Sequence, residues 1–128
     1  MKEIIFYLGL GTLSTHELDA VKNHEWRVLP LTSWLPEELG YLFFLFFHIP
    51  LFAFLIAMVA SRNDKVRIRT RTGISGFLVL HGLLHLLFQG DAKYEFTTLS
   101  SNLLIFAASL LGLIHLTLEY LDKNRTIT

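Results

Sequence analysis

The residues of this chain that can do chemistry are its six histidines, His16, His24, His48, His81, His85 and His115, and the carboxylates close to them. There is no cysteine, which excludes disulfides, thiolate metal ligands, iron–sulfur clusters and cysteine nucleophiles together. Neutral imidazole is the commonest biological metal ligand, and two histidines four residues apart on a helix present two ligands on one face. His81 and His85 have that spacing, and Gln89 continues their stripe. His115 and Glu119 repeat the spacing further on. His16, Asp19 and Asn23 share another helical face, while Glu17 falls on a neighbouring one with His24.

The candidate metal ligands are therefore His16, His48, His81, His85 and His115, with Glu17 or Asp19 as carboxylate partner and general base. Such a donor set suits zinc, iron, manganese or copper without choosing among them. The segment His81-Gly82-Leu83-Leu84-His85 lacks the glutamate of a His-Glu-x-x-His protease motif. Ala20 stands where a second histidine would complete that motif after His16-Glu17. His24 and Glu25, beside Trp26 and Arg27, are expected to meet solvent or headgroups at an interface rather than a metal.

The elements that must position these groups are long apolar helices. Hydrophobic residues make up 52% of the 128 and charged ones only 17%, well below the roughly 25% of an average soluble domain. Mean hydropathy is +0.48. The stretches 39–60 and 73–89 carry no formal charge, and 99–121 carries only Glu119. Each has the length needed to cross about 30 Å of hydrocarbon. The run 42–47, Leu-Phe-Phe-Leu-Phe-Phe, has no polar stripe of the kind a soluble amphipathic helix shows. A further helix over 4–22 is weaker, because its last third is polar. The lysine and apolar run at the start resemble a signal peptide, but 14–20 offers no small-x-small cleavage site, so a retained helix is expected.

The expected fold is all-α: one domain over 1–128, a four-transmembrane-helix bundle with helices at about 4–22, 39–60, 73–89 and 99–121. The connection 22–38 holds Trp26, Trp34, Pro30 and Pro36, and 61–72 reads as a basic loop. With that loop cytoplasmic, Lys2, Arg62, Lys65, Arg67, Arg69, Arg71, Lys123 and Arg125 lie inside, against Lys22, Arg27 and Lys93 outside. Both termini are then cytoplasmic. His16, His48 and His85 come to similar depth, roughly 18 Å from the cytoplasmic edge at 1.5 Å per residue, with His81 and His115 about a turn nearer that edge. Ionisable rings at that depth are costly, so they are expected to face one another across the interior. Pro50 is expected to bend the second helix beside His48. Glu119 can snorkel or pair with Arg125.

The segments His16-Glu17-Leu18-Asp19-Ala20, His24-Glu25-Trp26-Arg27 and His81-Gly82-Leu83-Leu84-His85 resemble an uncharacterised family of small bacterial four-helix integral membrane proteins. That resemblance implies a multi-pass inner-membrane setting and supplies no activity. The His-x-x-x-His segment also resembles the first histidine box of membrane fatty-acid desaturases and hydroxylases, whose His-x-x-His-His boxes are absent here.

Four functions follow, the last of them a purely structural role that would tolerate histidine-to-asparagine or -glutamine changes throughout. First is an intramembrane metal site, serving a metal-dependent hydrolase or oxidoreductase acting on a lipid-like substrate. Second is a proton- or cation-translocating transporter subunit, using His16, Glu17, His48, His81 and His115 as a ladder. Third is a haem electron-transfer protein with two axial histidines such as His48 and His85. The partners expected are the lipid bilayer and a second copy or another membrane protein. The balance of 11 basic and 11 acidic residues gives no reason to expect nucleic acid.

Overall fold

Each apolar run becomes a helix, and the polar residues around it decide where the helix starts. The computed structural model describes residues 1–125. It contains α1 (Lys2–Lys22), a single 3-10 turn (Glu25–Arg27), α2 (Glu37–Val59), α3 (Asp64–Phe88) and α4 (Leu99–Arg125). No strand occurs among the described residues. Pro36 opens α2, and Glu37 and Glu38 follow in its first turn, where the helix dipole favours negative charge. Asn63 opens α3, its Oδ1 accepting the backbone N–H groups of Lys65 at 3.0 Å and Val66 at 3.3 Å. Most of the stretch 61–72, expected as a basic loop, is thus about the first two and a half turns of α3. Arg67, Arg69 and Arg71 project from that helix, while Arg62 stays in the connection. Arg125, expected as an alternative partner of Glu119, has a side chain outside the described ones.

Three helices, α2, α3 and α4, are long and apolar enough to cross a membrane. The polar end of α1 keeps it out of that group. Side-chain pairs give the topology. Lys2 of α1 reaches Asp122 of α4 at 2.9 Å, so these two helices run antiparallel. Arg71 of α3 meets Glu3 at 2.9 Å, so α1 and α3 run parallel. α3 and α4 are antiparallel and very close: a Cβ at Gly82 would lie 2.7 Å from the Ser109 side chain, and one at Gly112 2.7 Å from the Ser75 carbonyl oxygen. Only glycine admits that approach. α2 is peripheral, with Gly40, Phe44 and Val59 its only buried residues, and it continues through Pro50.

The inward stripes have helical spacing: Phe6, Gly9, Leu13, His16 and Ala20 on α1, and Ile74, Ser75, Leu78, His81, Gly82 and His85 on α3. They stack the interior in layers. An ionic collar of Lys2, Glu3, Arg71 and Glu119 closes one end. His115 and Ser75 come next, then an apolar layer with Leu13, Leu78 and Ala108. His16, His81 and His85 lie beyond that layer, under the connectors.

Candidate metal centre

Helical register brings His16, His81 and His85 to one level, and a reversal of the chain brings a carboxylate to meet them. α1 ends at Asn23, and His24 takes a left-handed conformation, φ 49°. This is the sole non-glycine positive φ among the described residues, a conformation that asparagine, aspartate and histidine tolerate best. The turn sends the next residue, Glu25, back under the end of α1. Trp26 anchors the reversal. Its indole N–H donates to Glu37 at 3.1 Å, its carbonyl accepts from the Thr32 hydroxyl at 2.7 Å, and its ring packs against Phe44 and Gly40.

One donor atom from each of His16, Glu25, His81 and His85 lies within 4.8 Å of every other, and all four residues are buried. His81 Nε2 and His85 Nε2 are 3.2 Å apart, and His85 Nε2 is 3.4 Å from Glu25 Oε1. Ligand atoms around a tetrahedral ion with bonds of 2.0–2.1 Å stand roughly 3.3 Å apart, which those two separations match. Glu25 Oε2 lies 3.9 Å from His16 Nε2. The His16 side chain is 0% exposed, yet among the described residues neither of its ring nitrogens has a hydrogen-bond partner. Buried polar atoms are rarely left so, because each unsatisfied one costs about 1–3 kcal/mol. Three imidazoles and a carboxylate that converge on one point, with one ring otherwise orphaned, fit a divalent transition ion.

Two residues of the α3–α4 connection complete the surroundings. The Tyr94 hydroxyl is 3.0 Å from His85 Nδ1. With the proton on Nδ1 donated to Tyr94, Nε2 keeps its lone pair toward the centre, the arrangement in which an outer partner fixes a ligand's tautomer. The Phe96 ring, 1% exposed, covers His16 and His85 at centroid distances of 5.3 and 4.8 Å. Between them Glu95 binds His24 at 2.8 Å and Arg27 at 2.6 Å, tying this connection to the one that carries Glu25. Burial, followed by the Glu17 carboxylate nearby, pushes the Glu25 carboxyl up to about 7.

The other candidates fall elsewhere. His48 pairs with Glu17, Nε2 to Oε2 at 3.0 Å, and its Nδ1–H donates to the Phe44 carbonyl at 2.6 Å. It stands at the α1–α2 boundary, outside the four-residue group. His115 Nδ1 meets the Ser75 hydroxyl at 2.8 Å, and its Nε2 lies 3.7 Å from Glu119, which also pairs with Lys2 at 3.2 Å. Asp19 keeps one buried oxygen, Oδ2, without a partner and is not in the group. Glu25, expected at an interface, is the carboxylate the fold turns inward. The one cue to it was the His-Glu pair at 24–25 echoing that at 16–17.

The fold and this site define a small all-helical protein with helices able to cross a membrane and a buried histidine–glutamate group able to hold a metal ion. The chain belongs to a family of unknown function, DUF6713, which matches residues 2–122. No curated protein and no solved structure matches it.

Proposed function

We propose that this is a multi-pass inner-membrane protein that binds one divalent transition metal through His16, Glu25, His81 and His85. The observation that carries the reading is the convergence of three imidazole rings and a carboxylate around His16, whose buried nitrogens have no other partner. Bound there, the metal would supply Lewis-acid or redox chemistry to a substrate dissolved in the bilayer. Glu17, next to the ligand His16, is the carboxylate placed to move a proton for that chemistry. A cytoplasmic location for both termini is proposed with it, from the distribution of basic residues.

The ladder of a transporter has less support. An apolar layer of Leu13, Leu78 and Ala108 separates His115 from His81 and His16. Haem has less support as well, because His48 and His85 engage different partners and do not face each other as an axial pair. Elemental analysis of detergent-purified protein from metal-replete cells should find close to one metal ion per chain. It should be absent when His81 and His85 are both changed to alanine. A folded, metal-free wild-type preparation would overturn the proposal.

A further inference from the structure

The four donors of the proposed centre are all buried, so an ion reaches them only if something moves. Toward the collar, Phe6, Leu13, Ile74, Leu78 and Ala108 form a buried apolar cluster that a hydrated ion would have to cross. Sideways, in a membrane, lies hydrocarbon, where a bare charge is costly. The connector end remains. Two covers lie over the centre there, and different kinds of contact hold them.

The first cover is the Glu25–Arg27 turn, which is pinned from inside. The buried Thr32 hydroxyl donates to the Trp26 carbonyl at 2.7 Å, and a Cβ at Gly40 would stand 3.0 Å from the Trp26 ring. This turn also carries Glu25, so moving it dismantles the donor set. The second cover is the stretch 94–97, which has no regular secondary structure and supplies none of the four donors. Its ends are fixed. Asp91 Oδ1 accepts the Lys93 N–H at 2.7 Å, and the Thr98 hydroxyl accepts the Ser101 N–H at 3.1 Å. Its own N–H bonds are local, Tyr94 to the Asp91 carbonyl at 3.1 Å and Thr97 to the Glu95 carbonyl at 2.8 Å. Its middle is tied by Asn102 donating to the Phe96 carbonyl at 3.2 Å, by Tyr94 at His85, and by the Glu95 pairs with His24 and Arg27. The Glu95 and Arg27 side chains are 38% and 32% exposed, and ion pairs that open to water hold weakly. From this strap the Phe96 ring reaches in to cover His16 and His85.

We infer that 94–97 is a gate for the metal. The ion enters and leaves at the connector end when Glu95 releases His24 and Arg27 and Phe96 swings from over His16 and His85. This rests on the metal-centre reading and adds its regulation: a strap that binds no ion sets how fast one is exchanged. With both termini cytoplasmic, the ion would come from the opposite side of the membrane.

The test loads the full chain with Co2+, whose visible absorption reports binding, and mixes it rapidly with excess EDTA. Uptake by the metal-free chain is followed in the same way. Glu95→Ala should speed uptake and release together, about three- to tenfold, the scale of lost exposed ion pairs, with affinity within about twofold of wild type. Phe96→Ala should speed release further, and Glu119→Gln at the collar should change neither rate. In sealed vesicles EDTA should strip Co2+ only from the connector side, each orientation being read by protease cleavage of a tag placed before Met1. Rates unchanged in both Glu95→Ala and Phe96→Ala would overturn the inference. So would stripping from the side of the termini, or faster release with unchanged uptake, the mark of a weakened centre rather than an opened gate. If the chain takes up no Co2+, amide hydrogen exchange tests the strap by itself: 94–97 should exchange faster in Glu95→Ala than in wild type, and 25–28 should not. That result would remove the metal reading and keep the strap, and no change at 94–97 would remove both. A loaded centre with insensitive rates would remove this inference alone.

Discussion

The bundle holds two buried histidine sites, and they differ in what the ring nitrogens meet. His115 is as buried as His85, yet its neighbours satisfy it: Ser75 at one nitrogen and Glu119 near the other, backed by Lys2. Around His16 the nitrogens meet other acceptors. His81 and His85 bring two Nε2 atoms to 3.2 Å, and neither His16 nitrogen has a hydrogen-bond partner among the described residues, Glu25 Oε2 standing 3.9 Å from Nε2. Burial of an imidazole is therefore a poor guide to metal binding. Convergence of lone pairs that nothing in the chain neutralises is a better one.

The largest effect expected from breaking the contrast is on metal content. His81→Ala with His85→Ala should lose the bound ion altogether, whereas His115→Ala should keep it, as read by elemental analysis of both purified variants. A metal content that fell equally in the two would merge the sites. Tyr94→Phe removes only the hydroxyl that orients His85, and should weaken metal affinity about 10–100-fold with helicity intact, measured by competition with a chelator. An unchanged affinity would show that His85 needs no outer partner. His115→Ala leaves the Ser75 hydroxyl and the Glu119 carboxylate without their ring, so thermal unfolding should show a loss of about 1–3 kcal/mol. The smallest effect concerns the cap, which exists only at the cluster's end. The hydrogen bond from His24, then the charges of His24 and Arg27, hold the Glu95 carboxyl below the ordinary carboxylate range. Its contribution is therefore complete above that range and disappears as pH falls through the lowered value. Between about pH 5 and pH 3 the melting temperature of wild type should fall further than that of Glu95→Gln, by less than ~1 kcal/mol in stability terms.

Much of the architecture was legible because hydrophobicity along the chain is nearly a map of the helices. The runs at 39–60, 73–89 and 99–121 sit within helices but for the C-cap residues Ala60 and Gln89, and the four-residue spacing of His81 and His85 became a shared face. The start of α3 was not legible in the same way. Arg67, Arg69 and Arg71 read as a loop by composition, but a capped helix can hold arginines at its open end, and Arg71 there pairs with Glu3 and lies over the Phe6 and Tyr7 rings. Counting depth also failed to separate histidines. His16, His48 and His85 come out level, yet Glu17 holds His48 at the α1–α2 boundary. Glu25 was hidden for a different reason. Periodicity describes helices, and this residue reaches the site through a left-handed turn after α1 has ended. Trp26 misled in the same way, since its aromatic ring suggested an interface and it is 5% exposed, packed inside.

That left-handed turn has a consequence for how the molecule is made. His16 and Glu25 emerge early during synthesis, while His81 and His85 belong to a helix that follows much later in the chain. The centre is therefore assembled only when α3 has docked beside α1, and an ion held there would act as a clasp across a long loop, opposing separation of the two helices by the free energy of its own binding. Metal supply and correct assembly would then be read out by the same four side chains.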